Sequence, residues 1–331
     1  MTLGVFDRTL TQHRGGVDLL TGDKRPDGST MDLEPYGEDQ KVDTTPARCG
    51  RRDSSRRRLP AMTRSGGFRR AVNAVLTACL AGVAALVPAE RVHPSTVVVL
   101  QMNLCNSGRA SCFTGGRAVD EAAALVRRYA ADVVTLQEIC RDDVLVAANP
   151  GGLGTVARAL ADLHPDDRVS VHFVEAGNPE TGTGYRCNNG ELFGNAVLHH
   201  GDGRRTHGGW FADWDVGDEI RSWGCAEVEV GGRLTVCTTH ISDHPRVTVA
   251  QCRELFAMLA RASWARSNLI LAGDLNLPAS RLGDCGTDGF RTASDNSVQH
   301  LLVRGSLHPV RGAVEPMRWT DHPALVQVVG R

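Results

Sequence analysis

The chain has 331 residues, 37 basic and 38 acidic, for a formal net charge of −1. Hydrophobic residues make up 41% and charged residues 23%. This excludes a collagen-like, low-complexity or wholly disordered chain and allows one large domain or two small ones. Lys24 and Lys41 are the only lysines, so every fixed positive charge after Asp43 is arginine. A bias that uniform is a trait of composition and names no ligand.

In chain order, residues 1–61 are polar, carry the charge run "RRDSSRRRLP" and have no sustained apolar period. They cannot bury a core. At Met62 the pattern changes. Arg64, Arg69 and Arg70 precede an apolar run from Ala71 to Val87, which ends in the small-residue site Val87-Pro88-Ala89. These are the three parts of a secretory signal peptide. The reading is a signal peptide over 62–89, a start at Met62, and an upstream extension or disordered arm over 1–61. The secreted protein then begins near Glu90, with a catalytic domain over 90–331. The alternatives are a retained membrane anchor, a buried helix, and lipoprotein cleavage at "LTAC". The chain stays apolar past Cys79, where a lipoprotein has a polar tether.

Eight cysteines follow: Cys105, Cys112, Cys140, Cys187, Cys225, Cys237, Cys252 and Cys285. An even number fits disulfides in an exported protein, and none has the CxxC spacing of a zinc site. Spacing leaves the connectivity open. Cys112 is close enough to Cys105 to compete for it, and a bridge near Cys105 or Cys140 would pin the adjoining loops.

From Val92 strand-like and helix-like stretches alternate. "STVVVLQMN" (95–103) predicts a buried strand, "RAVDEAAALVRRYA" (117–130) a helix, "DVVTLQEI" (132–139) a strand and "GTVARALADLH" (154–164) a short helix. Strands are predicted over 193–200, 225–230 and 233–242, with Gly231-Gly232 as a hairpin turn. A helix over 247–262 follows, then strands over 268–276, 297–305 and 323–330. The sum is one α+β domain rich in strands.

Several strands end in polar residues: Asn103; Gln137-Glu138; Thr238-Thr239-His240; Asp274-Leu275-Asn276 inside "LAGDLNLPAS"; and Thr320-Asp321-His322 before the last strand. Successive strand residues face opposite sides, so Asp274 and Asn276 share a face while Leu275 turns into the packing. One aspartate at a strand end is ordinarily a turn former, and one histidine ordinarily structural. Five such endings in order point to a shared site. Carboxylate and carbonyl oxygens suit Mg²⁺ or Mn²⁺, and histidine with aspartate suits proton transfer.

The ordered set "MN", "LQE", "GNAVL", "TTH", "GDLN" and "DH" resembles the endonuclease/exonuclease/phosphatase superfamily over about Val97 to Val329. The resemblance implies a deoxyribonuclease I-like four-layer sandwich, two packed mixed β-sheets flanked by helices. It also implies hydrolysis of phosphodiesters by in-line attack of water. Glu138 would bind the metal with Asn103, and Asp321 would assist. Asp274 would position and deprotonate the water, Asn276 would hold a phosphate oxygen, and His240 and His322 would stabilise its charge. Arg186 and Asn195 would contact substrate. Two positions depart from the pattern. Gln299 stands where many members carry the aspartate that orients the last histidine, with Asp295 as a rival source of charge. Glu191 lies near the glutamate that supports the histidine of "TTH".

From Glu90 onward 23 arginines oppose 28 acidic residues, a net of about −5 that gives no broad basic face for a nucleic-acid backbone. Arg186, Arg204, Arg205 and Arg221 are candidates for a local patch. Trp210, Phe211 and Trp214 in "GGWFADWDVG" offer an apolar loop for a lipid interface. The expectation is a secreted, monomeric, Mg²⁺- or Mn²⁺-dependent phosphodiesterase with nucleic acid as leading substrate. The alternatives are a phospholipid or sphingomyelin phosphodiesterase or phosphatase, and a binding member with weakened catalysis.

Overall fold

The computed structural model describes residues 96–146, 152–214, 219–265 and 267–331. Residues 1–61 and 62–89, expected to be an upstream extension and a signal peptide, lie outside them.

Fourteen strands and three α-helices make up the described chain. They are β1 (Thr96–Asn103), α1 (Arg117–Tyr129), β2 (Val133–Cys140), β3 (Leu145–Val146), β4 (Gly152–Leu153), α2 (Thr155–Leu163), β5 (Val169–Glu175), β6 (Phe193–His200), β7 (Gly203–Trp210), β8 (Ser222–Glu229), β9 (Arg233–His240), α3 (Pro245–Arg261), β10 (Leu269–Asp274), β11 (Arg291–Ser294), β12 (Gln299–Arg304), β13 (His308–Glu315) and β14 (Ala324–Gly330). Two sheets of six strands carry the fold, in the orders β13-β14-β1-β2-β6-β5 and β11-β12-β10-β9-β8-β7. In each, one parallel pair (β1 with β2, β9 with β10) sits among antiparallel neighbours.

Three apolar layers separate four layers of structure, as the α+β sandwich reading requires. Between the sheets lie Val97, Val99, Val133, Val197, Val236, Ile270, Ala272 and Leu301. The opposite residues of the same strands, Leu100, Met102, Val134, Leu136 and Leu198, pack on α1 and α2 through Val119, Ala122, Val126 and Leu160. Leu269 and Leu271 pack on α3 through Cys252, Leu255 and Leu259. Strand alternation alone produces this division, because each inner strand is apolar on both faces. Pro245 opens α3, where a missing N–H costs nothing.

Four disulfides join Cys105–Cys112, Cys140–Cys187, Cys225–Cys237 and Cys252–Cys285. The competition for Cys105 is resolved locally, and Cys140 takes the distant Cys187. Four bridges fit an extracellular or otherwise oxidising environment. Among the described residues no helix is long and apolar enough to cross a membrane.

The loop after β2 has a further clamp. Asp143 Oδ2 accepts from Asn106 Nδ2 and from the Cys140 N–H, both at 2.8 Å. Burial lifts this carboxyl to about 6, outweighing those two donors. An acid raised in the folded state holds its proton more tightly there than in the unfolded chain, so its contribution to stability is full at low pH and is lost as pH rises toward 6. Asp143→Asn keeps an acceptor oxygen for both donors and cannot ionise. The variant is expected to match the wild type below pH 4 and to be the more stable above pH 6, by on the order of 1–3 kcal/mol. Denaturant melts from pH 3.5 to 7.5 measure the gap; a gap that does not widen with pH rejects it.

Candidate active site

At one end of the two sheets the inner layer changes from apolar to polar. Position 101 of β1 pairs with 135 of β2, and both carry polar side chains facing the second sheet. Gln101, Thr135, Gln137, Thr238 and Gln299 are fully buried there. Gln101 Nε2 donates to Gln137 Oε1 at 2.7 Å and also to Gln299 Oε1. Thr135 Oγ1 donates to Gln101 Oε1 at 3.0 Å, and Gln137 Nε2 to Thr238 Oγ1 at 2.8 Å. Buried amides satisfied by one another rigidify a layer. This layer is the floor of the site.

Asn103 and Asp274 stand above that floor, one from each sheet, both fully buried. Asn103 Nδ2 donates to Glu138 Oε1 at 2.8 Å and to Asp274 Oδ2 at 3.1 Å. Glu138 reaches this point only because β2 breaks its alternation. Asn103 pairs with Gln137, so in a regular strand Glu138 would face the helices. A bulge between Leu136 and Ile139 and a φ of 54° at Glu138 turn it back. Of the five non-glycine residues with positive φ among the described residues, Cys105, Glu138 and Asn276 belong to this site or adjoin it. Such backbone is held against its own preference by its surroundings.

The "GDLN" turn has a physical reason for each residue. A Cβ on Gly273 would lie 2.3 Å from the Thr239 carbonyl oxygen, so only glycine fits between β10 and β9. Asp274 Oδ1 accepts from the Asn276 N–H at 3.0 Å, closing the turn. Leu275 is buried under α3. Asn276 Nδ2 points to the Ile241 carbonyl at 2.9 Å and to His240 Nε2 at 3.2 Å.

His240 is ringed by donors. Arg221 Nη1 lies 2.7 Å from its Nδ1 and 3.0 Å from its Nε2, and Glu219 pairs with the same arginine at 2.8 Å. Burial, then Arg221, then His322 hold the imidazole well below the ordinary histidine range. The cationic group at this corner is therefore Arg221, and His240 is neutral. His322 lies opposite, its Nε2 3.6 Å from Asp274 Oδ2 and 3.8 Å from Asp321 Oδ1. Gln299 Nε2 sits 2.9 Å from Asp274 Oδ2 and 3.3 Å from His322 Nδ1.

Gln299 thus touches His322, as its position in the sequence suggested, and also holds Asp274. Gln299→Leu keeps the bulk and removes both contacts. A lost hydrogen bond to a charged group, on the order of 1.5–3 kcal/mol, corresponds to a drop in kcat of roughly ten- to a hundredfold with KM little changed. Steady-state kinetics decide it; unchanged kcat would leave Gln299 without a positioning role.

Other expected residues lie elsewhere. Asp295 accepts from the Ser297 and Gln299 N–H groups as a turn former and does not support His322. Glu191 is on the loop below Cys187, where its N–H bonds to Asn189; Arg221 and Asn276 take the place beside His240 that was expected for it. Asn195 is buried, with its amide on Ser222 at 3.0 Å, and so ties β6 to β8. Arg186 is exposed and bonds the Gly190 carbonyl of its own loop. Asp321 is 57% exposed and reaches His322 and Thr320, not Glu138. Arg221 is the main residue sequence reading undervalued. Counting outward from the Gly231-Gly232 turn pairs Trp223 with Thr239, which places Arg221 beside the end of the "TTH" strand.

The positive charge near the two acids at the centre does not offset their burial. Burial raises both Glu138 and Asp274, and neighbours offset only part of it: Asn103 and Arg221 lower Glu138 while the charge of Asp274 raises it, and His322 and the Asn276 N–H lower Asp274. Hard oxygens around two such carboxylates fit a divalent cation. Glu138 and Asn103 would hold it, with Asp274 adjacent.

The endonuclease/exonuclease/phosphatase family profile matches residues 105–322. Comparison with curated protein sequences gives no match. An endonuclease/exonuclease/phosphatase from Beutenbergia cavernae is 22% identical, with a TM-score of 0.53 over 71% of this chain and 71% of that one. One from Bacteroides vulgatus is 11% identical, with a TM-score of 0.51 over 71% and 98% of the two chains. A humanized D. rerio TDP2 is 16% identical, with a TM-score of 0.50 over 72% and 100%. At these identities the likeness is one of fold. With its sheets in this order, its polar strand ends on one site and its profile match over most of its length, the chain belongs to the endonuclease/exonuclease/phosphatase family.

Proposed function

We propose that this protein is an exported, divalent-metal-dependent phosphodiesterase, with nucleic acid as its leading substrate. The observation that carries the reading is the meeting of Glu138 and Asp274, from different sheets, on the single amide of Asn103. Buried carboxylates raised by burial are poised to accept a proton and to gain from a bound cation. Asp274 accepts the proton of the attacking water, held in place by Gln299, Asn103 and the Asn276 N–H. His322 presents an N–H group to a phosphate oxygen, and Asn276, its own N–H groups on Asp274, Ile241 and His240, braces that wall of the site. Arg221, behind His240, adds positive charge where the phosphorane develops negative charge. A bound Mg²⁺ or Mn²⁺ would supply charge neutralisation at the phosphate and lower the cost of the buried acids.

Trp210 and Trp214, 37% and 46% exposed, support a second reading, action at a lipid interface. The test is to assay the purified chain, with Mg²⁺, with Mn²⁺ and with chelator, on plasmid DNA, RNA, sphingomyelin vesicles and bis(p-nitrophenyl) phosphate. Chelator-sensitive cleavage of nucleic acid is expected. Hydrolysis confined to the vesicles selects the lipid reading, and no hydrolysis of any of the four rejects both.

A further inference from the structure

Beside the catalytic centre three arginines are stacked on aromatic rings. Arg109 lies over Tyr185, its Cζ 5.0 Å from the ring centroid, and its Nε donates to the Arg186 carbonyl at 2.9 Å. Arg117 lies over Trp319 at 3.9 Å, with its Nε on the Thr114 carbonyl at 2.8 Å. Arg318 lies over the same indole at 4.6 Å. All three arginines are exposed. Among the described residues their Nη groups have no hydrogen bond and none of the three has an ion pair, whereas Arg127, Arg128, Arg204 and Arg281 each face a carboxylate.

The frame brings these groups to the end of the sheet where the catalytic residues stand. β14 runs antiparallel to β1, so the segment that enters it, with Trp319, Asp321 and His322, lies at the end of β1 that carries Asn103. Thr320 Oγ1 donates to the Asn103 carbonyl at 3.0 Å, and Thr114 Oγ1 to the Trp319 carbonyl at 2.7 Å. A carboxylate oxygen of Asp321 lies within 4.8 Å of both sulfurs of the Cys105–Cys112 bridge. The loop closed by that bridge carries Arg109. It is joined to the segment of Tyr185 by the Asn188 N–H on the Ser107 carbonyl at 2.9 Å.

We propose that Arg109, Arg117 and Arg318 form a rim that binds phosphates flanking the scissile one, so that the substrate is a nucleic-acid strand and not an isolated phosphodiester. The proposal deepens the nucleic-acid reading above and rests on it.

Stacking occupies the face of a guanidinium and leaves its edge free. In Arg109 and Arg117 the Nε is also taken, so the Nη hydrogens remain as a fork that matches phosphate oxygens. A fork already held in place loses less freedom when it binds. Charge points the same way. Arg117 and Arg318 share one indole with no acid paired to either. Glu121 spends its carboxylate on the Arg318 and Trp319 N–H groups, at 3.0 and 3.1 Å. An anion between the two arginines relieves their repulsion. The stacks on Tyr185 and on Trp319 are separate, and a ligand that fills both must carry several spaced phosphates. A nucleic-acid strand does; a sphingomyelin headgroup has one. The chain as a whole is not basic, so backbone contacts concentrated at the site are what its composition allows.

The test is steady-state kinetics of the full chain on a single-stranded oligonucleotide over a range of salt. Bis(p-nitrophenyl) phosphate, which has no flanking phosphate, is the reference. In Arg109→Gln, and in the double variant Arg117→Gln with Arg318→Gln, KM for the oligonucleotide should rise with kcat little changed. The ratio of kcat/KM on the oligonucleotide to that on the reference should fall about two- to fivefold per arginine lost. The slope of log(kcat/KM) against log salt should flatten by about 0.7 per arginine. The matching lysine variants keep the charge without the stack or the fork, and should restore the slope but not the full KM. Oligonucleotide affinity in chelator, read by fluorescence anisotropy, should weaken in step. Variants that keep the wild-type slope and affinity overturn the rim and leave the phosphodiesterase reading standing. An equal loss on both substrates, or a loss confined to sphingomyelin vesicles, overturns it too. A wild type that binds the oligonucleotide in chelator through these arginines but hydrolyses nothing rejects the catalytic reading and supports the rim; one that neither binds nor cleaves it overturns the rim.

Discussion

Glu138→Gln and Asp274→Asn are each expected to lower kcat by roughly 10³-fold or more while the fold survives. Both changes keep the shape of the side chain and remove one negative charge. Under the proposed function the loss at Asp274 is of the proton acceptor, and at Glu138 of the charge that would hold the cation. Stability should move the other way. Burial disfavours both ionised forms, so each neutral variant relieves a desolvation cost, and its metal-free Tm should equal or exceed that of the wild type. The wild type should gain Tm on adding Mg²⁺, by linkage to a ligand that binds only the folded state. Both variants should gain less. Wild-type turnover in either variant, or an equal Mg²⁺-induced shift in all three proteins, would remove these residues from the roles assigned to them.

Opening the Cys140–Cys187 bridge should have the largest effect on stability among the four. It closes 47 residues of sequence separation against 7 for Cys105–Cys112. The loop-closure estimate gives ~4 kcal/mol for the first and ~2 kcal/mol for the second. Cys140 is two residues from Glu138, beside the bulge that turns Glu138 toward Asn103. The neighbouring chain is tied in by Asn106 N–H on the Glu138 carbonyl at 2.8 Å. The double variant Cys140→Ser with Cys187→Ser should therefore lose metal affinity as well as stability. The double variant at Cys105 and Cys112 should lose less stability. Denaturant melts and Mg²⁺ titrations of the two variants make the comparison. If the Cys140 and Cys187 pair proves the less costly to remove, loop length is not what governs these bridges.

The inner strands were legible because burial writes itself into sequence. β1, β2, β6, β9, β10, β12 and β14 are apolar on both faces, and each was expected within a few residues of its observed bounds. Within the two six-stranded sheets, four strands had no such signal: β5, β7, β11 and β13. They are the four edges of the two sheets. An edge strand can carry Arg204 and Arg205, as β7 does, or Pro309, as β13 does, because one side of it needs no partner and polar residues there discourage wrong pairing. Their places follow from hydrogen bonds to neighbours, which a local reading of pattern does not contain.

The same division runs through the site. Asn103, Asp274, Asn276, His240 and His322 stand at the ends of apolar runs, and the chain alone determined that they would gather at one end of a layered α+β domain. The order of those motifs also determined the family. Tertiary structure decided what each one touches. Gln137 and Glu138 both reach the inner face only because the strand bulges and Glu138 takes a left-handed backbone. Arg221 stands beside His240, where Glu191 was expected, because hairpin register puts it there. Gln299 presents itself to both Asp274 and His322 because Gln101, from the other sheet, occupies its remaining amide oxygen. Strand ends are local, since side-chain alternation and apolar length are properties of a few consecutive residues. Contacts between residues 198 positions apart, as between Gln101 and Gln299, depend on how two sheets pack, and no window of sequence contains that.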